Sequence, residues 1–355
     1  MTWEQLSNLT PDNGAIRDLK DLIIAEIFTD PELERFFTLV QNAKNGEKIG
    51  YRGAMSDVGW AGSGCNPSYK SATIQFLEKE WSIGDWQVPL KWCYTELINT
   101  IAEYCLKTGT EIGDLTSTEY MDDIVYPALK DAMMSMMWRF VWFSDKDAKL
   151  HSNSGVLSTG TDVELFKTTD GLWKRLFAVG TASAGQKTAI AANGEATMAE
   201  QFSKLKESGV AIGIFDAMLE NADARIAGLP GAGIFCTKTL ADALTKDLKR
   251  EYKEILTWEQ VFVGMKMTEY NGVPVYQIPV WDRMIMKYQN DGTKLNLPHR
   301  AVFGSPREML VGTPANDLIS ELDIWFDKKD RMNYLYSTGK MGTQIGQDDL
   351  FQLAY

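Results

Sequence analysis

The chain has 355 residues, 45% hydrophobic and 24% charged, the composition of a globular protein with room for a sizeable core and two domains. Its formal net charge of −12 argues against global attraction to nucleic-acid phosphates or anionic lipid. The densest basic run, 246–253 (KDLKREYK), is interleaved with acids and reads as the solvated face of a helix.

Residues 1–46 read as two short helices. In the first, Ile16, Leu19, Ile23 and Ile27 recur at helical spacing after Asp12-Asn13, which can cap it. The second starts at Asp30-Pro31-Glu32, presents Phe36, Phe37, Leu39 and Val40, and ends near Asn45-Gly46. A glycine- and serine-rich run with single aromatics follows (Tyr51, Trp60, Tyr69). Two alternating runs, 73–81 (TIQFLEKEW) and 86–93 (WQVPLKWC), are then predicted to pair as a hairpin through Ser82-Ile83-Gly84-Asp85. Trp86, Val88, Leu90 and Trp92 share one face of the second run, and Pro89 makes that run an edge strand, because proline cannot donate to a ladder. A lone hairpin is marginal in water, so its apolar face must lie on the rest of the chain or on a neighbouring copy. It reads as an assembly arm.

A helix is predicted from Thr95 through Leu106. The strongest helix follows a Thr116-Ser117-Thr118-Glu119 capping box and covers 117–143, with a kink at Pro127. Its apolar stripe runs from Met121 through Leu129, Met133, Met136 and Met137 to Phe140, and its methionines read as core packing. Beyond Gly155, helices are predicted at 196–208, 211–226 and 239–256, with short strands at 232–237 (AGIFCT) and 272–280 (GVPVYQIPV). The tail carries DIWF, RMNYLYST and DLFQLAY.

Signs of chemistry are sparse. His151 and His299 both lie in polar, turn-like contexts and read as surface residues, and no Gly-x-Ser-x-Gly elbow is present. Glu78 and Glu80, two apart on a strand, would sit about 6.5–7 Å apart on one face, within reach of an inverting glycosidase's spacing. With 11 tryptophans to stack on sugars that is the best enzymatic reading; the alternative is a charged outer strand face. Asp122 and Asp123 suit a helix N-terminus. The glycine-rich stretch 228–233 precedes a strand, so it reads as a turn and not a phosphate loop. Cys65, Cys93, Cys105 and Cys236 fall in no metal-ligand spacing, and no cofactor is expected. With neither a leader nor an apolar span of 18 residues, the thiols are expected to be reduced in a cytoplasmic setting.

The order of parts resembles the tailed-phage major capsid protein of the Hong Kong 97-type fold. The likeness covers nearly the whole chain and rests on segments such as EWSIGDWQVPLKWCYTEL, and NGVPVYQIPVWD followed by AVFGSPREMLVGT. It implies an α+β fold with an N-terminal arm (1–46), an extended β-hairpin loop (47–92) and a peripheral domain (93–155) with a spine helix (117–143). An axial domain (156–315), peripheral-domain strands (316–345) and a C-terminal return to the axial domain (346–355) complete it. The function implied is mechanical and needs no catalytic residue: copies close into an icosahedral virion shell around double-stranded DNA, assembled in a bacterial host. Contacts between subunits would then come from Tyr51, Trp60, Tyr69, Lys70, Trp81, Trp86 and Trp92 of the loop and Phe36 and Phe37 of the arm. The partners would be further copies in pentamers and hexamers, with a separate scaffolding protein, a portal and decoration proteins as further candidates. Some relatives crosslink a loop lysine to a neighbour; Lys70 and Lys79 lie in that segment, but no motif aligns a partner. An encapsulin-like compartment, which shares this fold, and a carbohydrate-active enzyme using Glu78 and Glu80 are the alternatives.

Overall fold

A computed structural model describes residues 35–55, 74–93, 126–253, 256–262, 264–314, 319–330 and 332–355. In chain order, the strands are β1 (Thr38–Val40), β2 (Lys48–Met55), β3 (Ile74–Glu80), β4 (Ile83–Cys93), β5 (Lys187–Thr188), β6 (Gly233–Cys236), β7 (Glu259–Phe262), β8 (Met265–Tyr270), β9 (Val273–Gln277), β10 (Ala301–Gly304), β11 (Met309–Gly312), β12 (Ile319–Asp327), β13 (Met332–Ile345) and β14 (Gln352–Ala354). The helices are α1 (Tyr126–Phe143), α2 (Leu172–Ala182), α3 (Met198–Leu205), α4 (Val210–Asn221), α5 (Lys238–Glu251) and α6 (Pro279–Tyr288).

Three sheets organise these elements. The long strand β13 is the axis of a five-stranded sheet: β4 runs antiparallel along one side, from Met332↔Cys93 to Gly342↔Ile83, while β12 and β11 share the other. β1 pairs in parallel with β11 and extends that side. A seven-stranded sheet in the order β5-β14-β10-β6-β9-β8-β7 receives the last residues of the chain between β5 and β10. The third sheet is the two-stranded ribbon β2–β3.

The alternation seen in the sequence survives, but the pairing does not. β3 and β4 are not partners: β3 pairs with β2, and β4 finds 11 partners along β13. Only Trp81 and Ser82 separate the two strands, and the ladder offered by β13 outweighs a hairpin of their own. Pro89 does lie on an edge strand, opposite Tyr336. The arm differs more. Where a second helix is predicted, the chain runs as a strand from Thr38 to Val40 on the edge of β11, while Phe36 and Phe37 are buried against Trp138 at ring distances of 5.5 and 6.2 Å. The β-favouring run FFTLV is decided by the open edge next to it, a non-local term that local periodicity cannot register. The first predicted helix, the Thr95 helix, the start of the long helix, and Cys65 and Cys105 lie outside the described residues.

Helix α1 is amphipathic in its first half and buried on all sides in its second: Met136, Met137, Trp138 and the run Phe140–Phe143 are all inaccessible. Its methionines are core, as predicted. Pro127 lies at the limit of the described helix. Trp142 meets Trp281 of α6 and Trp173 of α2 at 4.5 and 5.8 Å, and Phe36 bridges Trp138 to Phe235 and Tyr276 of the seven-stranded sheet. One continuous core therefore joins the two large sheets through α1, α2 and α6. A second core lies where Phe215 and Met218 of α4 pack with Leu240 and Leu244 of α5.

Helices α3, α4 and α5 fall within a few residues of their predicted spans, and α3 opens with a capping box between Thr197 and Glu200. α2 and α6 were not predicted. The 246–253 run is not wholly solvated: Asp247 is buried, and its Oδ2 accepts the Ala211 N–H at the start of α4 (2.9 Å). Asp282 does the same for α5, accepting from Lys238 and Thr239 at 2.6 and 3.1 Å. Each carboxylate satisfies N–H groups that a helix start leaves orphaned.

Candidate assembly surfaces

The ribbon β2–β3 pairs with no other strand among the described residues. Its register runs from Lys48↔Glu80 to Met55↔Ile74, with an irregularity between Arg52 and Met55. Eight residues of β2 reach roughly 27 Å at about 3.4 Å per residue. Lys48 and Glu78 form an exposed ion pair across it at 2.7 Å. Glu78 and Glu80 therefore stand on this ribbon, Glu78 is engaged by Lys48, and neither lines the groove or the pocket described below.

The residues expected to reach neighbours divide into groups. Trp60, Tyr69 and Lys70 lie outside the described residues, while Tyr51 is on β2 opposite Leu77 and Trp92 is on β4 opposite Asn333. Phe36, Phe37, Trp81 and Trp86 are corrections: all four are buried in the chain's own core. Aromatic side chains of this size fill the nearest apolar space, and here that space is intramolecular.

Two concave places border these elements. A groove of about 590 Å³ between β4 and α1 has a floor including Val88, Leu90, Leu129 and Met133, and a rim with Asp85 and Arg139; Leu90 remains 42% exposed. A smaller pocket of about 280 Å³ lies between His151 and the turn holding Asp291 and Lys294. No group of three metal-ligating side chains occurs among the described residues, and no helix there is long and apolar enough to cross a membrane.

His299 is a further correction. It is fully buried, and its backbone is bracketed by Asn193, which accepts the His299 N–H (3.0 Å) and donates to its carbonyl (2.8 Å). Nε2–H donates to the Gln201 carbonyl (3.3 Å), which can only accept, and Nδ1 lies 3.1 Å from the Thr239 hydroxyl. Burial pushes its pKa down from 6.5 to about 4. The unfolded chain therefore takes up a proton near pH 6.5 that the folded chain refuses until about pH 4. Stability contributed by the neutral ring is lost as pH falls through that window, by about 2 kcal/mol at pH 5. Urea melts at pH 7 and pH 5 should show this loss in the parent protein, and His299→Gln should lose less by about that amount. Equal pH slopes in the two proteins would refute it.

Arg300 is buried beside it, and no carboxylate pairs with it among the described residues. Its guanidinium donates to the carbonyls of Leu297 and Asn296 (both 2.7 Å) and to Gln289 Oε1 (2.5 Å), and lies over the rings of Phe143, Trp173 and Phe177 at 5.2–5.6 Å. These contacts tie a turn of the chain to α1 and α2. They describe a structural clamp.

Comparison with family models and with curated proteins finds no match. Among solved structures, a chain of the satellite phage P4 procapsid, determined with its size determination (Sid) protein, matches at a TM-score of 0.50 and 10% identity, over 95% of this chain and 98% of that one. A chain of Mycobacterium phage Ogopogo matches at a TM-score of 0.50 and 12% identity, over 92% and 91%. The chain has a phage capsid fold.

Within this capsid fold, sequence reasoning missed one surface aromatic. Trp325 on β12 stacks on Tyr334 of β13 (5.4 Å between centroids, 11° between planes) and remains 42% exposed, on the sheet face away from the buried Ile324 and Leu335. The signal was present: in the alternating run DIWFD, a tryptophan occupies the polar phase.

Proposed function

We propose that the chain is the major capsid protein of a tailed phage or prophage, copies of which close into an icosahedral shell around double-stranded DNA. The observation that carries this reading is a fold likeness extending over 95% of this chain and 98% of the procapsid chain. The ribbon supports it, since a two-stranded sheet is marginal alone and gains most from a neighbour. In this reading the five-stranded sheet with α1 is the peripheral domain and the seven-stranded sheet with α4 and α5 the axial domain. Met309–Gly312 then belongs to the peripheral sheet, unlike the boundary drawn from the sequence.

Electron microscopy of purified protein tests the reading. Closed particles or capsomer rings are expected, because heterologous contacts that close generate rings. A stable monomer under every salt and scaffold condition would overturn it. Particles from infected or induced cells should contain DNA; shells filled instead with a cargo enzyme would replace the phage reading with the encapsulin-like one. The net charge of −12 predicts that the isolated subunit does not hold short duplex DNA with a steep salt dependence.

A further inference from the structure

The base of the ribbon is held from several sides within a few residues. The Trp81 indole fills a notch in β11 that exists because residue 312 is glycine: a Cβ there would lie 2.7 Å from Cζ3 and 2.8 Å from Cη2 of the ring. Ala43 and Leu310 complete the notch. The Trp81 backbone is locked on both sides, its N–H donating to Glu47 O and its carbonyl accepting from Gly46 N–H, each at 2.9 Å. Asn45 Oδ1 accepts the Ile83 N–H (3.0 Å), and Gln344 Nε2 donates to the Glu80 carbonyl (2.8 Å). Gly84 passes so close to Thr168 that a Cβ would overlap its carbonyl oxygen. The last tie is between a ribbon side chain and the C-terminal segment: Lys79 Nζ meets Asp348 Oδ1 at 2.5 Å, with the lysine side chain only 18% exposed.

The geometry points to a positioning device: the Trp81 notch is the pivot of the ribbon, and the Lys79–Asp348 pair is the catch that sets its direction relative to the body. This rests on the shell reading, in which ribbon direction determines where a neighbouring copy is met. Trp81 is buried in the notch, so it fixes the point of departure. Lys79 lies on the ribbon itself and Asp348 on the body, so their pair, together with the Gln344–Glu80 bond and the packing of Ile49 on the notch, resists rotation about that point. A small rotation at the base becomes a large displacement at the end of an eight-residue strand, and shell curvature is the quantity that such a displacement changes.

The test uses the full chain with Asp348→Lys, and with the charge swap Lys79→Asp/Asp348→Lys. The single variant should melt within about 3 °C of the parent, since a partly exposed pair adds little to global stability. In the isolated subunit, amide exchange at Trp81 and Ile83 should accelerate about tenfold through local opening at the base. Under assembly conditions, particles of the parent diameter should give way to mixed diameters or open sheets. The swap should restore both exchange and diameter, a rescue that a purely structural role in the core would not produce. Parent exchange and parent particles in Asp348→Lys would overturn the catch. If the parent protein itself forms no shells, the shell reading falls, and exchange alone then decides: unchanged rates overturn the catch, and accelerated rates restored by the swap support it.

Discussion

Met133→Asp is expected to yield no soluble folded subunit. Met133 is buried on α1 in the core that joins the two large sheets. The substitution removes roughly 2 kcal/mol of apolar burial and places a carboxylate at a position only 1% exposed, for a cost above about 5 kcal/mol. That is a large fraction of the 5–15 kcal/mol by which a domain is typically stable. Leu129→Asp, one turn earlier on the same stripe, should behave alike, whereas Asp131→Ala on the exposed side of the helix should change stability by no more than about 0.5 kcal/mol. Circular dichroism and solubility of the three variants check the set. Equal tolerance at Met133 and Asp131 would mean that α1 does not present this face to the core.

The second large effect is on assembly and leaves folding alone. Met55 and Ile74 are register partners, so residues 56–73 can be replaced by Asn-Gly, the pair that best turns a two-residue hairpin. Shortening the loop from 18 residues to two favours closure by about 2 kcal/mol, at roughly 0.6 kcal/mol per doubling of length. The subunit should keep or raise its melting temperature. Its shells should be lost or become fragile, because Trp60, Tyr69 and Lys70 leave with the loop, and aromatic anchors carry much of an interface's energy. A thermal melt beside a sedimentation profile measures both. An unfolded subunit would place the loop in the core, and shells as robust as the parent's would make it dispensable; either result sinks the arm reading.

What was legible in the sequence was what local chemistry controls. The 3.6-residue stripe of α1 placed Leu129, Met133, Met136 and Met137 in the core. The spacing of Met198, Phe202 and Leu205 placed α3, and the two-residue alternation marked β3 and β4 as strands. Proline chemistry put Pro89 on an edge. None of these depends on more than about a dozen neighbouring residues. Both α2 and α6 were overlooked because their apolar residues, Leu172, Trp173 and Leu176 in one and Val280, Trp281 and Ile285 in the other, are short patterns next to glycine or proline.

The candidate site was legible in outline only. That a glycine-softened arm leaves the body near residue 50 followed from composition; that its strands are β2 and β3, with β4 given to β13, did not. A strand's ladder is satisfied by any partner of matching edge, so the choice depends on β13, some 250 residues away. Burial separates the two kinds of knowledge again at Phe36, Trp81 and Trp86, which are conspicuous aromatics in the sequence and inaccessible core in the fold, and at His299, polar in its neighbours and dry in its surroundings. The sequence by itself determined the apolar stripe of α1 and the alternation of β3 and β4, because propensity and periodicity are properties of adjacent residues. Only the tertiary structure decided which strands pair, which aromatics remain for a partner and how the ribbon is tied at Trp81, because each is a competition among surfaces brought together from distant parts of the chain.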